Sequence, residues 1–203
     1  MADASLLSKF LSTLKPKAPE KGAGSPYHSH PGMEKLAYPE AVFAQKFVSS
    51  GGRFIFCEDR ESIISALRNI FEEEDICVLS CNDPQLQSLA HTAGALSLTE
   101  LSKKADAAFI TCELLIAHNG GIMVTANQTY HNKILSLPNT IIVFGTVSQI
   151  IDKLNNALTY IKAKYPPKEI PSMITTIKGP KGDGLEDPNS AFSTKNLYLL
   201  LTV

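Results

Sequence analysis

Short apolar runs alternate with longer amphipathic stretches through most of this 203-residue chain. The clearest run, residues 139–144 (NTIIVF), is apolar on both faces, as strands are when helices cover both sides of a parallel sheet. The alternation predicts an α/β domain with a mostly parallel sheet sandwiched by helices. Strands are predicted at residues 53–57, 76–80, 107–110, 122–126, 139–144, 173–177 and 196–203.

Helices are predicted between these strands. Gly51 and Gly52 end the first of them, because glycine readily adopts the backbone conformation that follows a helix. Asp59 and Asp83 each precede residues that recur at helical spacing. Their carboxylates can accept the free N–H groups of a first helical turn, so both are predicted helix caps.

Two further helices are predicted in the second half. Thr111 is placed to cap a short helix over residues 112–117. Thr146 and Gln149 have the spacing of a capping box. The apolar positions that follow predict one long helix over residues 147–165.

The first part of the chain has a different composition. Residues 5–14 are amphipathic, and residues 15–32 contain four prolines and three glycines without a periodic apolar pattern. We therefore divide the chain into an N-terminal helix and arm, residues 1–32, and an α/β domain, residues 33–203. The N-terminal helix could belong to the core or dock on a partner.

Charge and hydropathy exclude several classes of function. Nineteen Lys and Arg against twenty Asp and Glu give a formal charge of −1. This balance lacks the basic excess of a nucleic-acid surface. No apolar run reaches the roughly 18 residues of a membrane span, and the N-terminus lacks the features of a secretion signal. We expect a cytoplasmic protein with no membrane span and no nucleic-acid partner.

The four cysteines, Cys57, Cys77, Cys81 and Cys112, include no C-x-x-C pair. Their spacing does not predict an iron–sulfur cluster or a zinc site. Cys57 and Cys77 fall in predicted strands and are expected to be buried thiols. The two histidines that stand one residue apart in the arm have no evident third ligand. The sequence therefore assigns no metal and no cofactor to this chain.

The first candidate site follows the predicted strand at residues 107–110. Ligands of parallel sheets bind beyond the carboxyl ends of the strands. N–H groups of a helix that starts at Thr111 could hold a phosphate or a carboxylate. Glu113, in the first predicted turn, is a candidate catalytic acid. Alternatively, Thr111 is a plain cap and Glu113 only interacts with the helix dipole.

The second candidate is the turn at Asn119, Gly120 and Gly121. These residue types tolerate positive φ, which would let the backbone approach a ligand closely. They are equally suited to an ordinary tight turn. Histidine is the side chain most often used as an acid or base near neutral pH, so the adjacent His118 is a candidate for that role.

The third candidate is the segment of residues 178–184 (KGPKGDG). Its three glycines and two lysines could surround an anionic group with backbone N–H groups and ammonium charges. Gly179, Lys181 and Asp183 are its candidate ligand-binding residues. The segment matches neither the Walker pattern nor the dinucleotide-binding glycine pattern, and a solvated loop is the alternative.

Several stretches of the second part of the chain match one known family: residues 105–111 (ADAAFIT), residues 116–120 (IAHNG), Leu137-Pro138 with the strand after it, the helical pattern of residues 150–161, Gly179-Pro180 and the terminal strand. On these stretches the chain resembles, from residue 105 onward, the LUD domain family, which includes the small subunit of bacterial lactate-utilisation systems. The resemblance implies an α/β fold of the sugar-phosphate isomerase/CoA-transferase type. It also implies a role beside iron–sulfur oxidoreductase subunits in the oxidation of L-lactate to pyruvate, with the clusters in the partners.

Three polar motifs of that family are altered here. The family's A-E-T-G corresponds to residues 117–120 (AHNG), so His118 replaces its glutamate. The family's G-P-S-x-T-A-D-I-E corresponds to the stretch from Gly179, in which Asp183 or Glu186 would take the acidic role. The family's H-G-P is replaced by residues 192–194 (FST). The changes fit either a divergent branch with another ligand or the loss of an ancestral site.

Three functional hypotheses result. The leading one is a lactate-utilisation accessory subunit that binds a small anionic ligand, iron–sulfur partner subunits, or both. The second is an enzyme of the fold group that includes sugar-phosphate isomerases, CoA-transferases and folate cyclo-ligases. It would act on an anionic substrate, with His118 or Glu113 as the acid or base and Lys181 as the anion contact. The third is a structural interaction module that has lost its site and docks through residues 1–32.

Overall fold

The computed structural model describes residues 38–98, 104–180 and 195–203. The predicted N-terminal helix and arm, and the segment from Lys181 to Glu186, lie outside these ranges. The described helices are α1 (Pro39–Ser49), α2 (Arg60–Glu73), α3 (Pro84–Ala93), α4 (Ala126–Thr129) and α5 (Leu154–Lys164). The described strands are β1 (Arg53–Cys57), β2 (Val78–Ser80), β3 (Leu96–Leu98), β4 (Ala107–Thr111), β5 (Leu114–Ile116), β6 (Gly121–Val124), β7 (Thr140–Thr146), β8 (Ile150–Ile151), β9 (Thr175–Ile177) and β10 (Asn196–Thr202).

Six strands form the main sheet in the order β1-β10-β7-β4-β2-β3. Every neighbouring pair in this sheet is parallel. The prediction of an α/β domain with a mostly parallel sheet flanked by helices is therefore confirmed. The apolar run that predicted the clearest strand forms β7, which lies between β10 and β4.

A second sheet of four strands, in the order β8-β5-β6-β9, was not predicted. The predicted helix over residues 112–117 is wrong, because β5 occupies the middle of that range and pairs antiparallel with β6. Leu115 packs toward the main sheet, whereas Leu114 and Ile116 pack toward α5. A strand buried on both faces is a continuous apolar run, and so short a run does not distinguish a strand from a helix.

The two sheets and five helices form layers. Helices α2 and α3 cover one face of the main sheet through a cluster that includes Leu67, Leu79 and Tyr198. Helix α1 and the second sheet cover the opposite face. Helix α5 covers the outer face of the second sheet through Ala157 and Ile161. The second sheet is thus an interior layer, which explains why its central strands are uniformly apolar.

The predicted single helix over residues 147–165 is also wrong. A 3-10 turn, Val147–Gln149, is followed by β8 and then by α5. The predicted capping box of Thr146 and Gln149 is present, but it caps the 3-10 turn. The Gln149 side-chain amide donates to the Cys112 carbonyl at 2.7 Å, and β8 then pairs with β5. These contacts favour a strand over a continuous helix.

The other predicted helix starts are confirmed. The Asp59 carboxylate accepts the Ser62 N–H at 2.8 Å at the start of α2. Asp83 accepts two N–H groups at the start of α3, which has Pro84 at its first position. Gly51, with φ of 84°, follows α1 as predicted. Within the described ranges, no helix is long and apolar enough to cross a membrane.

Candidate functional site

The main sheet has one topological switch point. After β2 the chain passes to β3 on one side, and after β4 it passes to β7 on the other. The connections that leave these two adjacent strands therefore diverge, and sheets of this topology have a crevice between the carboxyl ends of such strands. In open α/β sheets this crevice is the usual ligand position. This crevice is the candidate site.

The loop after β2 forms one side of the crevice. Asp83 is occupied in capping, because its Oδ1 accepts from Gln85 N at 2.8 Å and from Leu86 N at 3.1 Å. The Gln87 side chain donates to the Cys81 carbonyl at 2.7 Å, which fixes the loop to α3. Asn82 Oδ1 is buried without a hydrogen-bond partner among the described residues. The loop is thus held to α3 by hydrogen bonds and carries one buried acceptor with no partner among the described residues, which is rare in native structures.

Tyr130 lies at the end of α4, close enough to the loop after β2 for Asp83 and Cys81 to act on its ionisation. Tyr130 and His131 have φ of 48° and 62°, so two consecutive non-glycine residues are left-handed. Burial raises the pKa of Tyr130, and the nearby Asp83 and Cys81 raise it further. The phenol therefore remains a hydrogen-bond donor at neutral pH. Such backbone strain is concentrated at functional sites because the surrounding structure must enforce it.

Glu113 is a buried charged group at this edge of the sheet. Its side chain is 1% exposed, and Lys164 Nζ lies 2.6 Å from Oε1. Gln128 donates to Oε2 at 2.8 Å, and the Tyr165 hydroxyl contacts both oxygens at 3.2 and 3.1 Å. Burial lowers the pKa of Lys164, but Glu113 raises it by more, with help from two tyrosines, so the net pKa is raised. Every oxygen of Glu113 is satisfied within the protein.

Thr111 does not cap a helix. It is the last residue of β4, lies half-buried opposite Phe144 of β7, and is followed within three residues by β5. Glu113 is consequently not in a first helical turn, and helix-dipole stabilisation does not apply to it. Thr111 and Glu113 do lie at the carboxyl edge of the main sheet, beside the switch point.

The Asn119–Gly121 turn lies at the opposite end of β5. Gly120 has φ of 63°, as its residue type predicts, but its close approach is to helix α1: a Cβ there would lie 2.5 Å from Phe47 N. Asn119 Oδ1 accepts the Gly121 N–H at 2.9 Å, which closes the turn. His118 is exposed, and its backbone N–H donates to the Asp152 carbonyl. Packing against protein therefore accounts for the glycine at position 120.

Gly179 also packs against the end of α1. Its N–H donates to Ser50 Oγ at 3.2 Å, and a Cβ at this position would lie 2.3 Å from Gly52 N. Gly120 and Gly179 thus both pack against the C-terminal part of α1 and the turn that follows it. The structure does not bring Thr111 or Glu113 there. Lys181, Asp183 and Glu186 are outside the described residues, so their place stays a prediction.

The cysteines depart from expectation at one position. Cys57, Cys81 and Cys112 are buried, whereas Cys77 is exposed just before β2. Burial raises the pKa of Cys57 and Cys81 to about 11 and that of Cys112 to about 12. Among the described residues, no three His, Cys, Asp or Glu side chains are grouped so that they could hold a metal ion.

The layered fold and the switch-point crevice define a protein of the α/β class. Within that class, a family model for the LUD domain matches residues 89–193. The chain belongs to the LUD domain family.

A solved structure is similar in fold. It is the crystal structure of a DUF162 family protein from Deinococcus radiodurans, with a TM-score of 0.60 and 16% sequence identity. The match covers 82% of this chain and 98% of that chain. At this identity the likeness concerns the fold. No curated protein matches the chain.

Two residues of the crevice were not predicted from the sequence. The sequence could have pointed to Asn82, because its loop directly follows a predicted strand. No sequence feature pointed to Tyr130, because neither its residue type nor its neighbours indicate left-handed backbone.

Proposed function

We propose that the protein is an accessory subunit of a lactate-utilisation system, similar to the small subunit of the bacterial systems. It would bind iron–sulfur oxidoreductase subunits, a small anionic ligand, or both. The observation that carries this proposal is the LUD domain match over residues 89–193, which spans both sheets' central strands.

The state of the two candidate acid–base residues supports binding over catalysis. Glu113 is buried and saturated by Lys164, Gln128 and Tyr165, so it has no free oxygen for a substrate proton. His118 is exposed on a turn, and no hydrogen bond orients its ring within the described structure. A general acid or base usually needs a position within hydrogen-bond reach of a bound substrate and a group that orients it.

Deletion and purification test this function together. Cells that lack the gene are expected to grow poorly on L-lactate and normally on pyruvate. The tagged full-length chain, purified from lactate-grown cells, is expected to bring with it proteins that give an iron–sulfur electron paramagnetic resonance signal. Normal growth on L-lactate together with a signal-free preparation would exclude the accessory role.

The ligand part of the proposal rests on the altered family motif. Lys181 supplies a cation, and Asp183 or Glu186 supplies the acidic group, shortly after Gly179 in the chain. Thermal unfolding with lactate, pyruvate, sugar phosphates, nucleotides, CoA esters and folates tests it. A ligand at about 100 times its Kd adds about 2.7 kcal/mol to the free energy of unfolding, or roughly 5–11 °C in Tm for a chain of this size. The shift should vanish in Lys181→Ala and persist in Lys168→Ala.

A second candidate function is favoured by Tyr130. Its strained backbone beside the loop of Asn82 and Asp83 is the kind of geometry found at enzyme sites. In this alternative the protein is an enzyme acting on a phosphorylated, CoA-linked or folate-like anion. Turnover of such a substrate that is lost in Tyr130→Phe and retained in Tyr38→Phe would establish it. No turnover with any of them would leave the accessory role.

A further inference from the structure

The two flanks of helix α5 differ in chemistry. Its inner face, with Ala157 and Ile161, packs on the second sheet. One flank carries Tyr160 and Lys164, and the Lys164 ammonium lies 5.7 Å from the Tyr160 ring centre and 2.6 Å from Glu113. That flank is therefore occupied by contacts within the protein.

The other flank carries an apolar stripe. Leu154, Leu158 and Lys162 are spaced four residues apart, so they follow one line along the helix surface. Leu154 is 40% exposed and Leu158 is 38% exposed, although other positions on the same helix are fully buried. Two leucines in line at the edge of a buried face form a continuous apolar strip.

The charge along the stripe is mainly positive. Residues 153–168 contain four lysines and no Asp or Glu, and the nearest carboxylates in sequence, Asp152 and Glu169, stand directly outside this range. Among these lysines, only Lys164 forms an ion pair within the described part of the chain. Lys162 extends the stripe, and Lys153 and Lys168 lie just before and after the helix. The surface is thus apolar along its centre, and lysines outnumber carboxylates around it, four against Asp152 and Glu169.

The positive charge helps to decide what could bind over the stripe. A second copy of the chain would place lysines against lysines, which is unfavourable. The amphipathic segment of residues 5–14 contains Lys9 and no acidic residue, so it would also add like charge. A partner with apolar side chains bordered by Asp and Glu complements both features.

We propose that the Leu154–Leu158–Lys162 stripe of α5 is the docking surface for an acidic, partly apolar segment of a partner protein. The inference deepens the proposed accessory function and rests on it, because that function supplies the need for a partner. The apolar contact provides most of the affinity, and the lysines provide orientation and the rate of association.

Zero-length carbodiimide cross-linking tests this surface. The reagent joins lysine amines to carboxylates in direct contact, and it is added to fresh extracts of lactate-grown cells that contain the tagged full-length chain. Peptide mapping is expected to find Lys162 or Lys168 joined to Asp or Glu residues of another protein. The yield should fall about tenfold in the Leu154→Ser/Leu158→Ser variant, as when a central apolar contact is removed from an interface.

Leu135→Ser is the matched control. Leu135 is 74% exposed and lies on the 3-10 turn Ile134–Ser136, which is not part of α5. The cross-link should persist in this variant. Circular dichroism and Tm of all variants exclude unfolding as the cause of a loss.

Several results would overturn the docking surface. Cross-links from α5 to a second copy or to residues 1–37 would assign the stripe to the chain itself. Partner cross-links that map elsewhere, or none at Lys162 and Lys168, would also contradict it. If the deletion strain grows poorly on L-lactate while the cross-links map elsewhere, only the docking inference fails. If the deletion strain grows normally on L-lactate and α5 still cross-links to an acidic partner, the proposed lactate function is wrong but the docking surface is supported.

Discussion

The Tyr198 hydroxyl of β10 donates to Glu74 Oε1 at 2.8 Å. Glu74, directly after α2, also accepts from Arg53 at 2.7 Å and from Thr140 and Asn196 at 3.0 Å each. One carboxylate therefore gathers donors from β1, β7 and β10 at the amino edge of the main sheet. Its role is to hold α2 against three parallel strands, at the edge opposite the candidate site.

Replacing Glu74 should destabilise the fold strongly. Glu74→Ala removes the acceptor of four donors, including the buried Tyr198, and is expected to lower the free energy of unfolding by about 3 kcal/mol. Urea unfolding measures the change. Glu73→Ala is the matched control, since Glu73 contacts only Arg53 among the described ion pairs and is 58% exposed, and its effect should stay within about 0.5 kcal/mol. Equal losses in both variants would contradict this account of Glu74.

The turn glycine should be required for stability even without a ligand. In Gly120→Ala, left-handed backbone strain and the clash with α1 together are expected to remove about 2–4 kcal/mol of stability. Gly94→Ala is the control, because Gly94 is also left-handed with φ of 108° but has open space around a Cβ, so only about 1–2 kcal/mol of strain applies. Chemical unfolding of both variants compares them. A Gly120→Ala variant as stable as Gly94→Ala would contradict the packing explanation for this glycine and favour the ligand interpretation of the turn.

Thiol labelling should distinguish one cysteine from the other three. With the pKa of Cys57 and Cys81 raised to about 11 by burial, only roughly one thiol in a thousand is ionised at pH 8. We expect N-ethylmaleimide to modify the folded chain rapidly at the exposed Cys77 and only there, as read by mass spectrometry. Cys77→Ser should abolish the fast reaction. Rapid labelling of Cys112 in the folded state would show that its burial is wrong.

The Lys164–Glu113 pair should make stability depend on alkaline pH. The net pKa of Lys164 is raised in the folded state above its ordinary value of 10.5, so the folded chain holds that proton more tightly than the unfolded chain. Its stabilisation is fully present below about pH 10.5 and is lost as the pH rises through the folded-state pKa. The stability difference between wild type and Lys164→Met should therefore shrink above that pH.

Lys162→Met provides the comparison for this pH dependence. Lys162 is on the same helix and forms no ion pair in the described structure. Its difference from wild type should show no such decrease. Parallel curves for the two variants would mean that the ion pair does not contribute.

The main sheet was predictable because its strands are short apolar runs bounded by clear helix caps such as Asp59 and Asp83. The second sheet was not, because β5 is apolar on both faces and lacks the alternation that identifies a half-buried strand. Strand β3 is only three residues long and its Leu96 is exposed, so it has no apolar pattern to detect.

The candidate site was less predictable for a different physical reason. Glycine marks a close approach of the backbone, but the sequence does not state whether the neighbour is a ligand or another part of the chain. At Gly120 and Gly179 the described neighbours are helix α1 and the turn that ends it. Tyr130 presents the opposite difficulty. Its backbone is left-handed, but tyrosine is not a residue type that indicates this conformation.

Strand β10 lies between β1 and β7, and β1 has no other strand neighbour among the described residues. During synthesis, α1, β1 and α2 therefore emerge long before the strand that joins them to the sheet. Until the ribosome has added β10, which ends at Thr202, β1 exposes two unpaired edges and its phenylalanines lack their final packing. The early chain therefore stays only partly assembled until then, and its unpaired edges and apolar surface are the features that make incomplete chains prone to aggregation.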